Sequence, residues 1–234
     1  ECAEKVRRAA QRGSDVIKIT ATGGVLSQQG RGLGAHFTDA EMKSIVDTAH
    51  SLGLKVMAHA HGARGIEAAS RAGIDTIEHS TFIDEAAARA MKANGTVLVP
   101  TLMAFKGVSE GLGKGVYTPV VEEKIRAVYD QAQVFMGQAY RWGVPIAFGT
   151  DAGVFAHGRN AEEFALMRAQ GMSDREALAS ATTIAAQVLD MEGEIGRLAE
   201  GYSADIIAVD GNPLEDVSVL ENVDFVMVRG RVIE

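Results

Sequence analysis

The stretch Lys55-Val56-Met57-Ala58-His59-Ala60-His61-Gly62 decides how the rest of the chain is read. An alternating apolar run carries two histidines to the end of a predicted β-strand, and Gly62 then frees the chain to turn. Three other strand-like runs also present groups that bind metal. Asp15-Val16-Ile17-Lys18-Ile19 holds a lysine, Asp75-Thr76-Ile77-Glu78-His79 ends on a histidine, and Pro145-Ile146-Ala147-Phe148-Gly149-Thr150-Asp151 ends on an aspartate. Four strands delivering such groups to one rim point to a metal site.

Outward from this stretch, strands and helices alternate. Residues 2–12 read as the last turns of a helix, with Arg7, Arg8 and Arg12 near its C-terminus, where cations favour the dipole, and Gly13 as its stop. A strand follows, then a Gly-rich loop from Thr22 to about Ala35. Thr38-Asp39-Ala40-Glu41 is a capping box that predicts a helix from Asp39 to Gly53. Strand 54–59 leads to a helix over 63–72, and strand 74–79 to a helix from Asp84 to Gly95. Strand 96–101 is followed by a long connection and a helix over 120–141. Strand 144–150 leads into helices 160–170 and 174–190, the second capped by Ser173-Asp174-Arg175-Glu176.

Five βα units in series require a parallel sheet covered on both faces. A closed barrel is favoured over a doubly wound sheet, because the polar groups stand at the C-terminal ends of several different strands. Thr22-Gly23-Gly24 is neither a dinucleotide fingerprint nor a P-loop. The expected fold class is therefore α/β: the C-terminal five βα units of a (β/α)₈ barrel, with three more expected upstream of Glu1. After Met191 the pattern turns to short β-rich runs at 194–198, 204–210 and 225–231. Residues 1–191 are thus expected to form the partial barrel, and 192–234 part of a small β-sandwich.

The composition narrows the class of partner. The 234 residues are 47% hydrophobic, enough for a buried core, and a net charge of -8 argues against nucleic acid or an anionic membrane as partner. Cys2 is the only cysteine, so an internal disulfide is impossible. A reducing, cytoplasmic setting is expected, with the periplasm as the alternative. The partner expected is a small-molecule or dipeptide substrate, and a homo-oligomer is compatible with the sequence.

Taken together, Val16-Ile17-Lys18-Ile19, His59-Ala60-His61-Gly62, Glu78-His79-Ser80, Gly149-Thr150-Asp151-Ala152-Gly153 and Gly196-Arg197-Leu198-Ala199-Glu200-Gly201-Tyr202-Ser203-Ala204-Asp205 resemble the amidohydrolase superfamily. More narrowly, they look like its imidazolonepropionase-related branch, which includes metal-dependent Xaa-Pro dipeptidases and arginine or lysine carboxypeptidases. The resemblance covers nearly the whole chain. The strand-1 His-x-His of that family does not precede Lys18 and is expected upstream.

The resemblance implies two divalent metal ions, with zinc as the expected identity, and a carboxylated Lys18 bridging them. Paired metals lower the pKa of a bridging water and polarise a carbonyl. The resemblance further implies His59 and His79 at the second metal, with His61, on the same side of its strand, facing substrate or supporting the ligands. Asp151 is implied at the first metal, as the group that takes a proton from the attacking hydroxide and delivers it to the leaving nitrogen. His36, His157, Arg159 and Asn160 fall on loops at the same rim and are candidates to hold a polar part of the substrate. His50, on a helix, reads as structural.

Deaminases of this superfamily carry a glutamate where Gly62 stands and lack the lysine, so amide hydrolysis is expected. The substrate would be a small dipeptide or an N-acyl amino acid. Two alternatives stay open: a cyclic-amide hydrolase like imidazolonepropionase, and a non-catalytic barrel fragment acting as a binding module.

Overall fold

The structure, a computed structural model, describes residues 1–28 and 33–233. Helix α1 (Cys2–Gln11) leads into strand β1 (Val16–Thr20). Three strands follow, β2 (Lys55–Gly62), β3 (Thr76–Phe82) and β4 (Val97–Val99), separated by helices α2 (Asp39–Ser51), α3 (Ala63–Ala72) and α4 (Glu85–Asn94). The strands pair in parallel in the order β1-β2-β3-β4, with Thr20 opposite His59 and His59 opposite Glu78. This is the expected α/β arrangement with a parallel sheet. Residues 29–32 of the expected Gly-rich loop lie outside the described residues.

Local chemistry sets the helix ends. Thr38 Oγ1 accepts from the Glu41 N–H while the Glu41 carboxylate accepts from the Thr38 N–H, so the capping box opens α2 as expected. Asp84 caps α4, and Gly73 and Gly95 end α3 and α4 in the left-handed conformation that favours glycine. Val56, Ala58, Ala60, Ile77 and Leu98 of the strands pack with Met42, Ile45, Val46, Ile66 and Met91 of the helices. Burying each of the larger side chains contributes about 1.5–3 kcal/mol. Asp75 Oδ2 accepts from the Val56 N–H at 2.7 Å and pairs with His50 Nε2 at 2.9 Å, so His50 ties α2 to the sheet.

Beyond β4 the boundaries depart from expectation. The long connection contains a helix, α5 (Leu102–Glu110), and the helix expected over 120–141 is two, α6 (Pro119–Ala132) and α7 (Phe135–Arg141). The break turns Phe135, Met136 and Ala139 into the core. The strand expected at 144–150 is reduced to one bridge, Leu98 with Ile146. Leu98 donates to the Pro145 carbonyl and accepts from Ala147, and Pro145 has no N–H to extend the ladder.

Helix α8 (Glu162–Ala169) and the Ser173-capped α9 (Asp174–Ala181) follow, and the chain breaks at Thr182 before α10 (Thr183–Val188). Residues 194–198, expected as a strand, form turns. Gly196 there has φ +85°, and the Thr182 carbonyl oxygen lies 2.7 Å from where a Cβ would sit. Strands β5 (Ile206–Val209), β6 (Val223–Val228) and β7 (Arg231–Ile233) make an antiparallel sheet in that order. The 3₁₀ turn Val217–Glu221 between β5 and β6 buries Val217 and Leu220 in the same core as the parallel sheet. Among the described residues, no helix is long and apolar enough to cross a membrane.

Candidate metal centre

Spacing by two puts His59 and His61 on one side of β2, and parallel pairing brings β3 alongside to add His79. Ring centroids are 4.6 Å apart for His59 with His61, 4.6 Å for His59 with His79 and 5.0 Å for His61 with His79. One ligand-capable atom from each lies within 4.8 Å of the others. His61 therefore stands as close to the centre as the two histidines expected to bind metal.

Hydroxyl groups fix two of the rings. Thr81 Oγ1 lies 2.8 Å from His61 Nδ1, and Thr101 Oγ1 lies 2.6 Å from His79 Nδ1. Thr101 Oγ1 spends its own hydrogen on the Pro100 carbonyl at 2.7 Å, so it must accept from Nδ1–H of His79. That tautomer leaves a lone pair on His79 Nε2, the form that binds metal. His59 Nε2 lies 3.3 Å from the Gly23 carbonyl.

Electrostatics favour neutral rings. Burial holds His61 and His79 well below the usual imidazole range, and neighbouring imidazoles push the same way. Burial also lowers His59, opposed by the Gly23 carbonyl. Three uncharged imidazoles converging on one point make a donor set that fits a divalent transition metal.

Asp151 stands on the loop that follows the Ile146 bridge, exposed, and lines the same cavity as the three histidines. Its φ is +55°, and His79 (+74°), Ser80 (+59°) and Thr101 (+52°) share this uncommon conformation. Four non-glycine residues with positive φ thus gather at or beside this cavity, the kind of backbone geometry that clusters at functional sites. The Ser80 hydroxyl, next to His79, is buried with no hydrogen-bond partner among the described residues.

Lys18 is placed differently. Its ammonium pairs with the Glu78 carboxylate, which also accepts from Thr76 Oγ1 at 2.7 Å. Burial raises the Glu78 carboxyl and the Lys18 charge opposes that rise. A carbamate on Lys18 would face Glu78 with like charge, so carboxylation requires this pair to open. His36, His157 and Asn160 are exposed. Arg159, expected to face substrate, instead gives its fork to Glu110 at 2.9 and 2.9 Å and its Nε to Glu162 at 2.6 Å.

Sequence reasoning passed over Thr81 and Thr101, which orient the rings, and the apolar half of the cavity. Thr101 sits at the end of a predicted strand, a position where a polar residue is itself a signal. At Gly62, where deaminases carry glutamate, a Cβ would meet the Leu33 carbonyl oxygen at 2.9 Å. The backbone of the preceding loop occupies that space.

Residues 1–233 match the amidohydrolase family. The chain is 36% identical over 226 residues to ochratoxinase from Aspergillus niger, covering 93% of this chain and 46% of that protein. It is 32% identical over 181 residues to imidazolonepropionase from Chromobacterium violaceum, covering 74% of this chain and 39% of that protein. A crystal structure of a Xaa-Pro dipeptidase with bound methionine in the active site superposes with a TM-score of 0.96 at 43% identity, over 100% of this chain and 58% of that one. The chain thus spans about half the length of the relatives it matches. Fold, motif order and these likenesses agree, and the chain belongs to the amidohydrolase family.

Proposed function

We propose that the protein is a metal-dependent amide hydrolase that cleaves the C–N bond of a small dipeptide or N-acyl amino acid, in the manner of a Xaa-Pro dipeptidase. The observation that carries this reading is the convergence of three neutral imidazoles on one cavity that Asp151 also lines. On this reading the parallel strands are an arc of a (β/α)₈ barrel over residues 1–191, and residues 192–234 belong to a β-sandwich.

His59 and His79 would hold one divalent ion, zinc by their chemistry, with His61 beside them. Asp151 and a carboxylated Lys18 would hold a second. When bound, such ions lower the pKa of water and polarise the amide carbonyl. Asp151, exposed at the rim, takes the proton of the attacking water and passes it to the leaving nitrogen, which cannot depart as an amide anion. Thr81 and Thr101 keep the rings of His61 and His79 oriented, so that neither must rotate during turnover.

The test is removal of metal by a chelator, followed by measured return. Hydrolysis of a dipeptide panel should vanish with the metal and recover on adding zinc or manganese. Undiminished turnover by metal-free protein overturns the reading. The likeness to imidazolonepropionase supports a second reading, hydrolysis of a cyclic amide, and a cyclic substrate in the same panel separates the two.

A further inference from the structure

The cavity at the histidine cluster has a volume of ≈ 170 Å³ and two unlike halves. His59, His61, His79 and Asp151 form one. The other is largely apolar: Val25, Leu26, Ala104, Phe105, Val108 and Val154, together with Gly24 and the hydroxyl-bearing Ser27. Phe105 is nearly buried and stands edge-on to His61 and His79, with centroids 6.1 and 6.0 Å away. Phe135 buttresses it from behind at 5.7 Å. The loop carrying Val25 and Leu26 is tied down by Lys124, whose ammonium donates to the carbonyl oxygens of Gly24 and Ser27. That ammonium is spent on this loop, with Ser27 Oγ also 3.3 Å away, and Lys124 does not line the cavity.

From this arrangement we infer a specificity subsite: the Phe105–Val108–Val154 wall receives an apolar side chain next to the scissile amide, aliphatic or up to a phenyl ring, and rejects charged ones. An apolar cavity of about 150 Å³ accepts benzene, and the ≈ 170 Å³ here includes the space beside the histidines and Asp151, so the wall suits side chains no larger than a phenyl ring. A lysine, arginine or glutamate side chain laid against Phe105, Val108 and Val154 would lose water and gain no partner from those three side chains, which is unfavourable. The inference rests on the amide-hydrolase reading and deepens it.

The experiment is a dipeptide panel in which each position in turn carries Leu, Met, Phe, Lys, Arg or Glu. At one of the two positions the apolar side chains should exceed the charged ones in kcat/KM by about 100-fold or more, the scale of discrimination against an unpaired polar group. Val108→Phe fills the cavity, so it should suppress the Leu and Phe substrates while sparing Ala. Leu26→Glu, at an exposed position, should raise relative turnover of the Lys substrate. Charged and apolar side chains accepted alike at both positions, or a ranking unchanged in both variants, overturns the subsite. If the wild-type protein hydrolyses none of the panel, the amide-hydrolase reading fails. Calorimetric binding of N-acetyl-phenylalanine against N-acetyl-lysine, in wild type and Val108→Phe, then decides the subsite on its own: a preference for the former that the variant loses upholds it, and equal or absent binding of both removes it.

Discussion

Thr101 Oγ1 lies 2.6 Å from His79 Nδ1 and gives its hydrogen to the Pro100 carbonyl, so a single hydroxyl dictates which nitrogen of His79 is free. Thr101→Val keeps the β-branched shape and removes the acceptor. The expected result is a loss of about 10–100-fold in metal affinity, as for other groups that orient a ligand from behind. Titration of metal-free protein with zinc measures it, and unchanged affinity would show that the hydroxyl does not set the tautomer.

Asp151→Asn retains size and cannot take a proton. Hydrolysis should fall by about 10²–10⁴-fold, the usual worth of a positioned acid–base group. Metal held by the histidine cluster should remain, because His59, His61 and His79 are untouched. Metal content by elemental analysis distinguishes lost chemistry from lost metal, and a variant with near wild-type turnover refutes the role.

Much of this architecture was legible because its causes are local. The capping boxes at Thr38 and Ser173 lie within four residues, and each opens a helix as read. His59 and His61 are legible for the same reason, since a period of two fixes the face they share. Helix α5 was not, because its cap is remote: Glu163, 61 and 60 positions away, accepts the N–H groups of Leu102 and Met103 at 2.8 and 2.7 Å. The apolar run 144–150 looked like a strand because burial alone produces that pattern, while pairing requires a partner edge and an N–H that Pro145 lacks. The Lys18–Glu78 and Arg159–Glu110 pairs join residues 60 and 49 positions apart, beyond any local pattern, whereas the Arg159–Glu162 pair spans only three.

Glu163 also gives the fold a pH dependence. Burial raises its carboxyl from 4.5 to about 8, against the two N–H groups that favour the charge. A raised carboxyl means that the folded state holds its proton more tightly than the unfolded chain. The stabilising contribution is full below about pH 4.5 and is lost as pH rises through about 8. Glu163→Gln cannot ionise, so its stability relative to wild type should improve between pH 5 and pH 9, values chosen to lie on either side of about 8. Urea unfolding at the two values checks this, and a constant difference between variant and wild type rules it out.

The last prediction concerns the contact that seats β2. Thr22 is fully buried, and its Oγ1 accepts from the His61 N–H at 3.0 Å. A Cβ at Gly65, on α3, would stand 2.3 Å from Thr22 Cγ2, which no real contact tolerates. Gly65→Ala must therefore push Thr22 aside, at a cost of about 1–3 kcal/mol for overpacking, and it should weaken zinc binding through the disturbed His61 backbone. Thr22→Ser in the same molecule deletes the clashing methyl and keeps the hydroxyl that holds His61. Stability by thermal melting and zinc affinity should both recover in the double variant. If Thr22→Ser restores neither, the alanine acts elsewhere on α3, and the link from Gly65 through Thr22 to the histidine cluster is wrong.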